Sequence, residues 1–170
     1  MCYFTPALFS LAFIVTIVWA SVAPAEAVSR KYRDLSQNLT GQAETELSAE
    51  RAQQADAMLN LALTADPANA EAYMLKGRAQ KQLGNPEEGL RLMNISLEIS
   101  PGNVDGLLLQ GKTALEVGDL EQAGKSLRQI EQICGVDCAA AEELTVALDT
   151  ANIMQQDEAD KAGETGEDAR

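Results

Sequence analysis

Two cysteines, Cys134 and Cys138, stand four residues apart in a 170-residue chain that contains no histidine. Thiols at this spacing could form a structural disulfide, work as a redox pair or bind a metal ion. Zinc is disfavoured because two thiols without histidine supply too few ligands, and redox chemistry is disfavoured because thioredoxin-like pairs are more tightly spaced. In an exported protein we expect a disulfide that stabilises the turn between two helices, with redox or disulfide-exchange activity as the alternative.

Other catalytic chemistry finds no support in the residue types. Without histidine the chain lacks the commonest general base and the commonest transition-metal ligand. No glycine-rich phosphate loop and no nucleophile motif occurs. We therefore expect no enzymatic activity, no cofactor and no metal. The formal net charge of −13 repels phosphate, so nucleic acid is not an expected partner.

The N-terminal segment is typical of export signals. Residues 7–23 form a nearly continuous apolar run, followed by small residues at Ala25 and Ala27. This pattern predicts a cleavable signal peptide over residues 1–27 and a periplasmic location. The basic cluster at residues 30–33 follows the run instead of preceding it, so a retained membrane anchor is the alternative. A membrane would be a partner only in that case.

Composition divides the remaining chain into three parts. Residues 28–47 are polar without a stable apolar period, which predicts a linker, with a poorly ordered helix as the alternative. Apolar residues then recur at spacings of three and four up to Pro67, and helical patterns continue, so we predict a helical domain over residues 48–153. Residues 154–170 are acidic and contain glycine, which predicts a disordered tail.

The helical domain contains an internal repeat. Residues 67–100 and 101–134 align without gaps at a period of 34 residues, with seven identical positions. Each copy opens on a Pro-x-Asn turn and carries a glycine, Gly84 or Gly118, where its first helix should end. Glycine suits that position because it accepts the left-handed backbone conformation. Each copy is therefore predicted to be a helical hairpin.

This 34-residue unit resembles the tetratricopeptide repeat. The resemblance implies an all-α solenoid of helical hairpins, about six helices in a right-handed stack. Full repeats would span about 70–103 and 104–137, flanked by half-repeats. The matching landmarks are Tyr73, Gly77, Gly84, Met93 and Pro101 in the first unit, and Leu107, Gly111, Ala114, Ala123 and Leu127 in the second.

Three positions depart from the family pattern. Lys76 and Gln110 stand where the family usually has leucine, and Gly89 stands where it usually has alanine. The C-terminal part, with its Cys-Gly-x-x-Cys segment, is similar to short exported tetratricopeptide proteins of alphaproteobacteria. That narrower resemblance implies a fold and a location, and it implies no activity.

The resemblance also implies a peptide-binding groove on the first helix of each unit. Arg78 and Lys112 lie 34 residues apart, so they would occupy the same place in successive units beside apolar side chains. Such a surface would suit a partner peptide with an acidic segment, whereas ordinary surface charge is the alternative explanation. The predicted groove residues are Met74, Arg78, Lys81, Asp105, Leu108, Lys112 and Leu115. We expect a non-catalytic scaffold or adaptor of the bacterial cell envelope.

Overall fold

The computed structural model describes the backbone of residues 23–167 and the side chains of residues 29–157. Within these ranges the chain forms seven α-helices and no strand, which confirms the all-helical hairpin fold. The helices are α1 (Ala23–Ser48), α2 (Ala52–Ala65), α3 (Ala70–Gln82), α4 (Pro86–Ile99), α5 (Val104–Glu116), α6 (Leu120–Cys134) and α7 (Ala139–Glu167).

Consecutive helices pair as antiparallel hairpins and the hairpins stack. Helix α1 packs on α2, α3 on α4 and α5 on α6, while α2–α3 and α4–α5 contacts join each hairpin to the next. Helix α1 also contacts α3, and α7 contacts both α5 and α6. Helix α7 therefore takes the place that the first helix of a fourth hairpin would occupy.

The repeated turns have the predicted chemistry. The side chains of Asn69 and Asn103 cap α3 and α5 by accepting hydrogen bonds from the backbone N–H groups of Ala72 and Gly106. At the other end of these helices Gly84 and Gly118 have φ angles of 85° and 79°, in the left-handed region. The glycines are thus at the bends between helices.

The prediction of a linker over residues 28–47 is wrong, because these residues form most of α1. One face of this helix is buried through Ser36, Thr40, Ala43 and Leu47. The amide of Asn69 donates hydrogen bonds to the hydroxyls of Ser36 (2.8 Å) and Thr40 (3.1 Å). Because Ser36 and Thr40 are polar, the buried face of α1 does not show as an apolar period in the sequence. Their hydroxyls can nevertheless be buried because they form hydrogen bonds. The half-repeat expected before residue 70 is therefore a complete hairpin, α1–α2.

The predicted disordered tail also differs, because α7 continues to Glu167. No proline follows Pro101, and the alanine, glutamate and glutamine of this stretch favour a helix. The described side chains from residue 153 to 157 are exposed, so this part of α7 extends beyond the packed hairpins.

Most of the predicted signal peptide lies outside the described residues, which begin at Ala23 within α1. No helix in the described part of the chain is both long and apolar enough to cross a membrane.

The core divides into two clusters on opposite faces of α3. The first joins α1, α2 and α3, includes Leu75, and is built largely of alanine. The second joins α3 to the helices that follow, and it contains larger side chains such as Met74, Met93 and Ile130. Helix α3 is therefore the element shared by both halves of the domain.

Candidate functional site: a groove across the first helices

Helices α1, α3 and α5 together line an open cavity of about 420 Å³. Each is the first helix of its hairpin, so the cavity crosses all three hairpins. The residues that line it are Glu44 from α1, Glu71, Met74, Leu75 and Arg78 from α3, and Asn103, Asp105, Gly106 and Leu109 at the start of α5.

The floor of this groove is apolar and closely packed. Met74 is only 7% exposed, and Leu75 only 6%. A Cβ atom built on Gly106 would lie 2.7 Å from Cε of Met74. Gly106 therefore allows the thioether of Met74 to lie against the first turn of α5. Met74, Leu75 and Leu109 together offer a surface that an apolar side chain could contact.

The rim of the groove is charged. Three carboxylates, from Glu44, Glu71 and Asp105, line it together with one guanidinium, from Arg78. None of these four side chains forms an ion pair with another described residue. Glu71 and Asp105 lie in the first turns of α3 and α5, where the helix dipole favours negative charge. Glu44 lies four residues before the C-terminal end of α1, where the helix dipole does not favour an acidic residue.

One polar side chain on the rim, Asn103, retains unused hydrogen-bond donors. Asn103 uses its side-chain oxygen to cap α5, accepting from Gly106 N at 2.9 Å. The amide group of the equivalent Asn69 donates hydrogen bonds to the hydroxyls of Ser36 and Thr40. Within the described residues the amide of Asn103 makes no hydrogen bond, so its two N–H groups can donate to a ligand carbonyl.

The structure brings together only part of the predicted groove set. Met74, Arg78 and Asp105 line the cavity. Leu108 and Leu115 do not line it, and both are half-buried against the second core cluster.

The two predicted groove lysines form ion pairs with neighbouring helices. Lys81 Nζ lies 2.7 Å from a carboxylate oxygen of Glu116 on α5. Lys112 Nζ lies 2.6 Å from a carboxylate oxygen of Glu143 on α7. Both pairs cross between first helices and help to hold them side by side. Their positive charge is consequently offset within the protein.

Sequence reasoning missed Glu44, Glu71 and Leu109. Glu44 falls in the segment predicted to be a linker. The repeat period itself carried the signal, since Glu44 precedes Arg78 by 34 residues and Glu71 precedes Asp105 by the same interval. The period relates Glu71 to the predicted groove residue Asp105 within the two aligned copies, and extending it by one unit toward the N-terminus relates Glu44 to Arg78.

The unusual polar residues Lys76 and Gln110 bind the second helix of the preceding hairpin. Lys76 Nζ lies 2.6 Å from the carboxylate of Asp56 on α2, which also accepts from Gln80 at 2.8 Å. Gln110 is only 3% exposed and bonds to Asn94 on α4 and Ser126 on α6. A leucine in either place would remove these links between neighbouring hairpins.

The carboxyl of Asp56 responds to this environment. Partial burial pushes its pKa upward, but hydrogen bonds from Lys76 and Gln80, the charge of Lys76 and a further hydrogen bond from Asn60 outweigh that effect. The pKa of Asp56 therefore lies below its ordinary value. The charged form of Asp56 stabilises the junction between α2 and α3.

The two cysteines lie in the turn between α6 and α7. Their sulfur atoms lie within bonding distance of each other, with the Cα atoms 5.9 Å apart. Gly135, which ends α6, has a φ of 87° and allows the chain to reverse there. Among the described residues, no group of three His, Cys, Asp or Glu side chains could hold a metal ion.

Comparisons with known proteins agree with this geometry. Residues 70–103 match the family model of the tetratricopeptide repeat, and these residues contain α3 and α4. Comparison with curated protein sequences finds no relative.

Several solved structures have the same arrangement of helices at low sequence identity. The first tetratricopeptide domain of Spaghetti (RPAP3), bound to the HSP90 peptide SRMEEVD, is 13% identical with a TM-score of 0.65, over 71% of this chain and 95% of that one. The Yersinia enterocolitica type III secretion chaperone SycD, in complex with a peptide of the translocator YopD, is 11% identical with a TM-score of 0.62, over 72% and 95%. The Arabidopsis OM64 tetratricopeptide domain is 15% identical with a TM-score of 0.63, over 70% and 98%. The chain therefore contains a tetratricopeptide repeat at residues 70–103 and has the fold of tetratricopeptide proteins.

Proposed function

We propose that this protein is a non-catalytic interaction scaffold that binds a segment of another polypeptide in the groove across α1, α3 and α5. The observation that carries the proposal is the groove itself. The groove has an apolar floor and a charged rim, and the side-chain amide of Asn103 has two N–H groups that make no hydrogen bond within the described residues. An extended peptide needs this combination, since its side chains require apolar contact while its backbone requires hydrogen bonds.

Two of the similar structures support the same role. The RPAP3 domain and SycD are each described in complex with a peptide. Their low identity to this chain makes the fold the common element, so the choice of ligand must come from the groove residues of this chain.

Site-specific photocrosslinking tests this proposal. A photoreactive amino acid is placed at Glu71, which is exposed on the groove, and in a control variant at Glu87, which is exposed on α4. We expect a protein adduct from position 71 in cells that naturally produce the chain, and none of the same mass from position 87. Equal adducts from both positions, or none from position 71, would overturn binding in the groove.

We further propose that the scaffold works in the bacterial envelope, in the periplasm. The support is the apolar run over residues 7–23 followed by the small-x-small pattern ending at Ala27. N-terminal sequencing of the chain recovered from the envelope fraction tests this location. A mature chain that begins at Val28 is expected. An intact N-terminus in a membrane fraction would favour the anchored form, and recovery from the cytoplasm would contradict export.

In that compartment we propose that Cys134 and Cys138 form a structural disulfide. The 5.9 Å separation of their Cα atoms and the turn at Gly135 support it. Thiol trapping of the native protein is expected to find both cysteines blocked and resistant to mild reductant. A pair that exchanges rapidly with glutathione would instead favour a disulfide-exchange function.

A further inference from the structure

We infer that the groove selects a polypeptide segment carrying a lysine or arginine next to an apolar side chain. This inference depends on the proposed function, and it names the chemistry of the partner. It differs from the acidic partner that the spacing of Arg78 and Lys112 suggested.

The first argument is the charge of the groove. Three carboxylates against one guanidinium leave its lining with a net charge of −2. The predicted groove lysines cannot offset this, because Lys81 and Lys112 are each paired with a glutamate of a neighbouring helix. An acidic peptide would meet unpaired carboxylates from α1, α3 and α5, and the repulsion would weaken its binding.

The second argument is the position of the carboxylates relative to the apolar floor. Glu71 shares helix α3 with Met74 and Leu75, while Asp105 shares helix α5 with Leu109, and all five line one cavity. A peptide side chain that contacts this floor therefore has carboxylates within its neighbourhood on α3 and α5. A long cationic side chain suits such a site, because its methylene stem packs on apolar surface while its charge reaches the rim.

The third argument is Glu44. Helix-dipole stabilisation explains an acid at Glu71 or Asp105, but it does not explain an acid within α1. Glu44 occupies the repeat position held by Arg78 and Lys112 in the following units. The charge of the side chain at this repeat position is therefore negative on α1 and positive on α3 and α5. The formal net charge of −13 for the whole chain adds attraction for a cationic partner during encounter.

Selection of displayed peptides tests the inference. Random linear peptides displayed on phage are selected for binding to the purified, immobilised chain. A parallel selection contains excess soluble chain, which competes for phage that bind specifically. We expect enriched sequences with lysine or arginine beside leucine, isoleucine, methionine or an aromatic residue. Their synthetic forms should bind less tightly as the salt concentration rises.

Charge-neutralising variants then locate the interaction. Glu44→Gln, Glu71→Gln and Asp105→Asn are each expected to weaken an enriched peptide about two- to fivefold, the range for a solvent-accessible ion pair. Glu87→Gln on α4 is the matched control and should leave the affinity unchanged. Thermal unfolding of each variant separates lost binding from lost stability, which matters most for the two acids in helix N-terminal turns.

The possible outcomes distinguish this inference from the proposed function. Some enriched peptides could be acidic or uncharged and still bind the groove variants with an altered affinity. That result would overturn the cationic preference and leave groove binding intact. Enrichment of no peptide whose affinity responds to any groove variant would overturn groove binding, and the inference would fail with it. Cationic peptides that bind the Glu44→Gln variant as tightly as the unmodified chain would remove α1 from the site.

Discussion

Gly77 on α3 and Gly89 on α4 touch backbone to backbone. A Cβ atom built on Gly77 would lie 2.8 Å from the carbonyl oxygen of Gly89, and one built on Gly89 would lie 2.9 Å from the carbonyl oxygen of Gly77. The contact is reciprocal, so neither position has room for a side chain. This explains why Gly89 departs from the alanine usual in the family: the two helices of this hairpin cross closer than an alanine would allow.

Gly77→Ala is therefore expected to destabilise the domain. The added methyl group meets a backbone oxygen that cannot move aside without shifting α4. Overpacking of this kind costs about 1–3 kcal/mol, even though alanine is the better helix former. Denaturant unfolding followed by circular dichroism measures the change, and Gly89→Ala should behave in the same way.

Gly111→Ala is the matched comparison in the next hairpin. A Cβ atom there would meet Cδ2 of Leu144 at 2.6 Å and Cβ of Ser126 at 3.3 Å. The buried leucine side chain can still shift by a change of rotamer, whereas the backbone oxygen of Gly89 can move only with α4. We expect a cost about 1 kcal/mol smaller than for Gly77→Ala. Equal losses in both variants would contradict the special closeness of α3 and α4.

Glycine at the bends is required for a different reason. Gly84 has ample space around it but a φ of 85°, so Gly84→Ala should cost about 1–2 kcal/mol through backbone strain alone. Gly41 also has open space and lies within α1 without a positive φ. Gly41→Ala should therefore stabilise the chain by up to about 1 kcal/mol. Denaturant unfolding should therefore show a lower free energy of unfolding for Gly84→Ala and a higher one for Gly41→Ala.

Acid should weaken the junction between α2 and α3. The pKa of Asp56 lies below its ordinary value of 3.8, so the charged carboxylate contributes its full stabilisation above about pH 4 and loses it as the pH falls through the lower, folded-state pKa. Asp56→Asn should cost about 1–2 kcal/mol at neutral pH.

The same variant should lose less stability than the unmodified chain between pH 4 and strongly acidic conditions. Asp34→Asn is the control, since Asp34 is exposed on α1 and forms no ion pair with another described residue. Parallel stability-versus-pH curves for the unmodified chain and Asp56→Asn would contradict the role of Asp56.

The disulfide is expected to give a modest stabilisation. Closing a short loop is worth about 2 kcal/mol on the chain-entropy estimate, so the double variant Cys134→Ser/Cys138→Ser should unfold at lower denaturant concentration than the oxidised chain. Reduction of the unmodified protein should produce the same shift. The variant should keep its helical circular dichroism, because the packing of α7 on α5 through Leu144 does not depend on the cysteines.

The sequence predicted the repeated hairpins well because turn residues and the 34-residue period act locally. Pro-x-Asn turns, Gly84 and Gly118 each dictate their own backbone conformation. It failed at α1 because the buried face there includes Ser36 and Thr40, whose hydroxyls accept hydrogen bonds from Asn69 in a distant turn. It did not predict the ion pairs of the lysines, because a pair such as Lys112–Glu143 joins helices that only the folded chain brings together.

The division of the core into two clusters has a consequence for cooperativity. The alanine-rich cluster around α1 and α2 buries smaller side chains than the cluster around Ile130 and Leu144, so the N-terminal half should open first and exchange its amide hydrogens faster. Glu44 on one half and Asp105 on the other both line the proposed groove. An occupied groove would therefore hold the alanine-rich half closed and make the whole array unfold as a single unit.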